Sequence, residues 1–523
     1  MKSGEKLRDL HLHMCGMGLD THEAIGNLLV PVFIDCGHLN DAHQALYRLG
    51  YGQECAWTSL IQGCIQRKEF QHAFNLYKRM QDELVCPSKY TFIALLKACS
   101  SVKSVKKGRE LHLLVAKQEC ESDVHVGSSL VTMYAKCGLL AKAKDVFEML
   151  PARSVILWNA LIVGYIDHGY GEEAVECFKQ MQWEGVTPDV VTYVCSLRAC
   201  GSIGAIDKGQ EIHEEIDRNG FLNRDLLIGT ALVDMYLKCG SLNSARQVFD
   251  KIIVRDIVSW NSLIGGYAEH GHGDDALECF EKMQLQGIMP NAVTLSFILK
   301  ACSTVGATEK GQEIHAEIER RGFLERDIVI GSSLVEMYSK CGMQAIASKV
   351  FEKLPIRDVV SWNSLIAGYA QAGKIESIFS IFDRMSGEGI KPDPFTFIVI
   401  FNACNRAGLF EQSETYFNAM KKIYGIIPTV EHHNCMINFL CRSSQLDKAV
   451  AMINKTPFFS NLVAWHAVLG ACKNSGNVTL GKQAFENAVS LDEKDCASYV
   501  LMSQIYLGAD IYETNDDISI GSS

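Results

Sequence analysis

The sequence predicts an all-α fold, a right-handed α-solenoid superhelix of repeated antiparallel helical hairpins. Three observations predict it. A tryptophan-centred string returns about every hundred residues, two other strings return in step with it, and each copy carries an apolar period of 3.6 residues. Trp57, Trp158, Trp260, Trp362 and Trp465 stand 101, 102, 102 and 103 residues apart, in the contexts AWTSLIQGCIQ, LWNALIVGYID, SWNSLIGGYAE, SWNSLIAGYAQ and AWHAVLGACKN.

The second string is TFIALLKACS at Thr91, TYVCSLRACG at Thr192, TLSFILKACS at Thr294 and TFIVIFNACN at Thr396. The third is VGSSLVTMYAKCG, IGTALVDMYLKCG and IGSSLVEMYSKCG from Val126, Ile228 and Ile330, with a weaker copy at Ile25. One module therefore contains three units of 35, 35 to 36, and 31 residues. Within a unit, Trp260 to Ala268 places apolar residues at i, i+3, i+4 and i+7, one face of a helix, and Gly271 breaks it. Ala276 to Met283 repeats the period and is ended by Gly287 and Pro290. Such a helical hairpin cannot bury its apolar face alone, so it must stack on its neighbours.

Composition narrows the function. The 523 residues carry 50 Lys+Arg against 61 Asp+Glu, a net charge of −11, and 48% are apolar, which is a folded rather than a disordered composition. No stretch approaches the roughly 18 uninterrupted apolar residues of a membrane-spanning helix, and the start has no secretory h-region, so no membrane partner is expected. The closest of the 20 cysteines, Cys195 and Cys200, rule out a Cys-x-x-Cys knuckle, and the cysteines read as buried thiols of a reducing compartment.

Several strings imitate catalytic motifs. Gly476 to Gln483 nearly spells a phosphate loop, but Gln483 stands where Mg²⁺ needs a hydroxyl. The Gly-x-Gly-x-x-Ala strings at Gly169 and Gly271 follow helices and read as inter-helix turns. His213-Glu214-Glu215 and His315-Ala316-Glu317 match half of a zinc deaminase motif whose Pro-Cys-x-x-Cys half is absent, and the same histidine recurs as His112 without the glutamate. The expectation is no catalytic residue, no metal, no cofactor and no small-molecule substrate. Lys136, Lys238 and Lys340, at the C-terminal ends of first helices, either complement a helix dipole or meet a phosphate.

These motifs together resemble a plant organellar pentatricopeptide repeat protein of the subclass with alternating long, standard and short repeats. The resemblance covers residues 1 to about 506. It implies a partial long unit at 1–22, then short 23–53, standard 54–88, long 89–123, short 124–154, standard 155–189, long 190–225, short 226–256, standard 257–291, long 292–327, short 328–358, standard 359–393, long 394–429 and short 430–461. The array thus ends at 461, two incomplete extension (E-type) repeats fill 462–506, and an acidic, polar tail occupies 507–523. The start falls inside a repeat and no deaminase domain follows, as expected of an incomplete chain.

The family implies single-stranded RNA read at one base per unit, selected by the fifth and last residues, with the second residue packing on the base. Asn159 with Asp189 and Asn363 with Asp393 are the combination associated with uridine, Thr230 with Asp256 and Ser332 with Asp358 with guanosine. Asn261 with Asn291 and Asn434 with Asn461 favour a pyrimidine, while Thr58 with Ser88 and Ser128 with Ser154 point to a purine. Ile93, Val194 and Ile398 cannot hydrogen-bond and tolerate any base, and Ser296 with Asp327 is ambiguous. The footprint from Thr58 reads purine, any, purine, U, any, G, pyrimidine, any, G, U, any, pyrimidine, with an editable cytidine four nucleotides beyond. By resemblance the chain is a mitochondrial or plastid site-recognition factor for C-to-U editing, with a cytidine deaminase supplied in trans. The alternative from the residues is a tetratricopeptide-like protein-binding scaffold.

Overall fold

A computed structural model describes residues 23–48, 54–222, 224–455 and 462–520, together with His13 and Met17. Every regular element among the described residues is an α-helix, and the helices pair into hairpins that stack as an all-α solenoid. The chain forms two units, residues 1–263 and 264–523. In the first, the hairpins are α1 (Glu23–Asp35) with α2 (Leu39–Arg48), α3 (Glu54–Gln66) with α4 (Phe70–Asp82), α5 (Lys89–Val102) with α6 (Val105–Lys117), α7 (Val124–Lys136) with α8 (Leu140–Met149), α9 (Val155–Asp167) with α10 (Gly171–Trp183), α11 (Val190–Ile203) with α12 (Ile206–Arg218), and α13 (Leu226–Lys238) with α14 (Leu242–Lys251). The boundary falls within α15 (Ile257–Glu269).

The second unit continues with α16 (Gly273–Leu285), α17 (Ala292–Val305) with α18 (Thr308–Arg320), α19 (Ile328–Lys340) with α20 (Gln344–Lys353), α21 (Val359–Gln371) with α22 (Ile375–Gly387), α23 (Pro394–Ala407) with α24 (Phe410–Lys422), α25 (Val430–Arg442) with α26 (Leu446–Lys455), α27 (Leu462–Ser475) with α28 (Val478–Leu491), and α29 (Cys496–Ile520). The last helix runs through most of the stretch expected as a polar tail, because residues 509–520 contain no Pro or Gly to stop it.

Local chemistry sets the helix limits. Gly169 and Gly271 turn the chain inside their hairpins at φ +82° and +81°, the left-handed conformation that glycine adopts without strain. Within each unit a first helix packs on the next first helix, as α9 does on α11 and α21 on α23, while a second helix packs on its own first helix and on the one that follows. The tryptophans seal the joints. Trp158 and Trp260 in the first unit, and Trp362 in the second, are buried edge-on against Phe147, Phe249 and Phe351 at 4.5, 4.7 and 4.6 Å. Arg153, Arg255 and Arg357 lie over the same phenylalanines at 5.1, 4.9 and 5.0 Å, so each joint is an Arg–Phe–Trp stack. An aromatic pair of this kind contributes about 0.5–1.5 kcal/mol beyond the area it buries.

The cysteine expectation needs a correction. The described cysteines are free thiols and ten of them are buried, but Cys36, Cys55, Cys86 and Cys496 are exposed. Those four occupy loops or the first turn of a helix, outside the packed faces that the repeat strings mark. Burial pushes Cys99, Cys177 and Cys441 up to about 12, so these thiols are inert.

Close approach of first helices requires glycine at Gly164, and likewise at Gly368, where a Cβ would stand 2.6 Å from the Ser339 Cβ. A Cβ on Gly164 would stand 2.5 Å from the Ala135 Cβ and 3.3 Å from its Cα, which cannot rotate away. At the equivalent Gly63 the obstacle is the Ile34 side chain at 2.7 Å, which has rotamers to use. Gly164→Ala is expected to destabilise the fold by about 1–3 kcal/mol and Gly63→Ala by less, read as the order of their denaturant midpoints.

Candidate nucleic-acid interface

Among the described residues, Asp189, Asp358 and Asp393 each cap the next first helix, and each accepts a hydrogen bond from the fifth residue of its own hairpin. Asp189 caps α11, its Oδ1 accepting the Thr192 N–H at 2.8 Å and the Asn159 Nδ2–H at 3.0 Å. The Thr192 hydroxyl lies 2.7 Å from Asn159 Oδ1 and 2.8 Å from Asp189 Oδ1, and its one proton serves either. In the second unit Asn363, Asp393 and Thr396 repeat this knot at 3.0, 2.8, 2.7 and 2.8 Å. Asn159 and Asn363 are 8% and 5% exposed, so the amides close the joint between hairpins and reach solvent only at an edge. One N–H of each amide and one oxygen of each carboxylate remain outside the three bonds described.

Burial works against charge on Asp189, but the Thr192 N–H, the Asn159 amide and the Thr192 hydroxyl hold its carboxyl below the usual carboxylate range. Ser332 donates to Asp358 Oδ1 at 2.9 Å, and Asp358 caps α21 through the Ser361 N–H at 2.8 Å. Two other pairs are not joined by a hydrogen bond among the described residues. Thr230 donates to Leu226 O at 2.9 Å while Asp256 takes the Ser259 N–H at 2.9 Å. Ser128 donates to Val124 O at 2.6 Å while Ser154 takes the Leu157 N–H at 3.4 Å.

Thr58 and Ser88 are connected through a residue the sequence reading missed. Both hydroxyls donate to Glu54 Oε1, which also accepts from Thr91 at 2.8 Å. Burial opposes the Glu54 charge, and the hydroxyls of Ser88, Thr58 and Thr91 still hold its pKa down. The available signal was an acid at the first position of a first helix where most other units carry Val, Ile or Leu. Asn261 is half-buried on α15, Asn291 caps α17 by accepting the Thr294 N–H at 2.9 Å, and Asn434 is half-buried on α25. Asn461 lies outside the described residues.

Beside this register runs a row of apolar side chains that the fold leaves in water. It is the second residue of most first helices, interrupted by His125 on α7: Tyr90, Ile156, Val191, Leu227 and Val258 in the first unit, and Val293, Val329, Val360 and Phe395 in the second, from 50% exposed at Val293 to 70% at Ile156. Single exposed apolar residues are ordinary, but one at the same position of hairpin after hairpin is a built surface.

The other candidates are placed as follows. Lys238 and Lys340 end first helices as expected, but each is paired with a carboxylate one turn back, Asp234 at 2.8 Å and Glu336 at 2.7 Å, whereas Lys136 has Thr132 there. His112, His213 and His315 put Nδ1 against the hydroxyls of Tyr134, Tyr236 and Tyr338 at 2.8, 2.8 and 2.9 Å. Glu215 instead accepts from Tyr193 at 2.8 Å and Glu317 from Arg320 at 2.7 Å, so the His-x-Glu strings do not converge. Among the described residues no group of three or more His, Cys, Asp or Glu could hold a metal, and no helix is long and apolar enough to cross a membrane.

Comparison with known proteins follows the same register. The PPR repeat family matches residues 53–101, 153–202, 255–304 and 357–406, and the PPR repeat matches 128–155, 230–257, 395–423 and 431–456. Pentatricopeptide repeat-containing protein At2g33680 of Arabidopsis thaliana is 35% identical over 91% of this chain and 66% of its own length. Another Arabidopsis thaliana relative, At3g15130, is 32% identical over 95% of this chain and 72% of its own length. The chain thus spans 66% of the first of these relatives and 61% of another, At1g68930. The crystal structure of pentatricopeptide repeat protein PPR10 from maize shares the fold, with a TM-score of 0.60 at 18% identity over 95% of this chain and 78% of that one.

The histidine–tyrosine contacts set a pH dependence. Burial lowers His213 and His315 from the ordinary value of 6.5, with Lys251 and Lys353 adding to it against Asp217 and Glu319. The unfolded chain then binds more protons than the folded one as pH falls through 6.5, so stability is fully present above that value and declines below it. Melting temperature measured from pH 8 to about 5.5 is expected to fall on the acid side, and the double variant His213→Gln, His315→Gln to flatten that fall.

Proposed function

We propose, since this chain belongs to the pentatricopeptide repeat family, that it binds single-stranded RNA in a sequence-dependent manner. The observation that carries this reading is the pairing, at Ile156 with Asn159, Val329 with Ser332 and Val360 with Asn363, of an exposed apolar second residue with a polar fifth residue wired to a cap carboxylate. A base lying against Ile156 or Val360 buries apolar surface, and its edge then meets the residual N–H of Asn159 or Asn363. That donor suits a pyrimidine carbonyl, while a hydroxyl such as Ser332 is short enough to leave room for a purine. Ile93, Val194 and Ile398 have nothing to donate, so the long units act as spacers in the footprint.

A net charge of −11 keeps non-specific affinity for nucleic acid low, because phosphate neutralisation supplies most of it. Selectivity therefore rests on base contacts, and of the candidate phosphate contacts Lys136 is favoured over Lys238 and Lys340, which are paired with Asp234 and Glu336. The finer reading is a non-catalytic adaptor for C-to-U editing of organellar transcripts, with a cytidine deaminase-domain protein acting in trans. Two relatives, At3g11460 and At1g06140, carry the word mitochondrial in their names, which supports an organelle.

Gel-shift titration at moderate salt tests the reading. The footprint RNA is expected to bind more tightly than a scrambled RNA of equal length, and equal binding would favour a protein-binding scaffold. Asn363→Thr is expected to move preference at one position from U toward G by roughly three- to tenfold, the worth of one hydrogen bond, and to leave the other positions unchanged. Uniform weakening along the RNA would make Asn363 a joint residue alone.

A further inference from the structure

The hairpin of α27 and α28 lies beyond the last unit assigned to base reading, yet its joint repeats the knot of the array. His466 is the fifth residue of α27, and its Nε2 is 2.6 Å from Asp495 Oδ2. Asp495 precedes α29 and accepts the Ser498 N–H at 3.0 Å and the Ser498 hydroxyl at 2.5 Å, while Ser498 Oγ is 3.2 Å from His466 Nε2. His466, Asp495 and Ser498 thus stand to one another as Asn363, Asp393 and Thr396 do. The second residue of α27, Val463, is 57% exposed, like Val360 at 54%. Nor does the packing change here: Trp465, Val468 and Leu469 share one apolar core with Ile437 and Leu440 of α25 and with Met502 and Ile505 of α29.

We propose that this hairpin is a further base-reading unit, with His466 and Asp495 as its selecting pair and Val463 as its ledge. The RNA site then runs one nucleotide further 3′ than the footprint that ends at Asn434. This inference rests on the RNA-binding reading. It also assigns an opposite polarity of recognition. The Ser498 hydroxyl and the His466 hydrogen bond hold Asp495 down to about 2, so a carboxylate accepts from Nε2–H at 2.6 Å, and Nδ1 is the ring nitrogen outside this bond. In the tautomer that this bond selects, Nδ1 carries the lone pair. Where Asn159 offers an N–H to a carbonyl, His466 offers an acceptor, and it favours the amino bases adenosine and cytidine over the keto bases uridine and guanosine.

The test uses the full chain and footprint RNA extended at its 3′ end by one randomised nucleotide, bound, recovered and sequenced. Adenosine and cytidine are expected to be enriched there by roughly three- to tenfold. His466→Asn recreates the pair of the Asn363 joint and is expected to shift that one choice to uridine, with the rest of the footprint still selected. Asp495→Asn, which keeps an N-cap acceptor, is expected to weaken the choice at that nucleotide alone. Selection of the footprint with no preference at the added nucleotide, or a preference that His466→Asn leaves unmoved, overturns this inference while sparing the RNA-binding reading. Absence of any footprint selection overturns both.

Discussion

One carboxylate oxygen at the joint between hairpins is the constraint on which the rest depends. Asp189 Oδ1 satisfies a backbone donor that would otherwise be orphaned at the start of α11, and it anchors the amide of the preceding hairpin at the same point. The start of one helix and the fixing of the side chain before it are therefore a single event. An N-cap is worth about 1 kcal/mol, and here the same group also sets the register in which consecutive first helices meet. Asp393 does this in the second unit, and Ser332 with Asp358 does it with a hydroxyl in place of the amide.

On the RNA-binding reading, coupling stability to recognition in this way has a physical advantage. A side chain that is 5% exposed and held on both its amide atoms has one rotamer, so a ligand that meets it orders nothing new. The exposed row supplies the complementary part, apolar area that hydrophobic burial leaves over once the joints are closed. The long units mark the difference: Ile93, Val194 and Ile398 occupy the fifth position without a polar group, and a cap such as Asp123 turns instead to Lys89 at 3.1 Å.

Much of this was legible because similar strings recur at a spacing of about 102 residues, so that helix, turn and joint read in one copy carry over to the next. The helix read at Trp260 to Ala268 is the body of α15, and the stops at Gly271 and Gly287 fall where the chain turns. Glu54 was not legible, because its partners Ser88 and Thr91 lie 34 and 37 residues away and meet it only when hairpins stack. The exposure of Cys55 and Cys496 was missed for a related reason: composition counts thiols but does not say which helix face a joint covers. His466 escaped notice because it breaks the Asn/Ser/Thr pattern in residue type while keeping it in position.

Electrostatics closes the argument. An acidic chain that holds RNA must gain affinity from somewhere other than counterion release, and the ion pairs here narrow that source further. Lys238 and Lys340 spend their charge on Asp234 and Glu336, and those carboxylates would also repel a phosphate drawn to the lysine. Joint carboxylates such as Asp189 are screened from a strand by the donors that surround them. What remains to hold a strand is apolar contact with the exposed row and hydrogen bonds to base edges, both of which weaken little with salt and fail when the base is wrong. On the RNA-binding reading, the same charge balance that opposes nucleic acid in general makes the joint residues decisive for which strand is held.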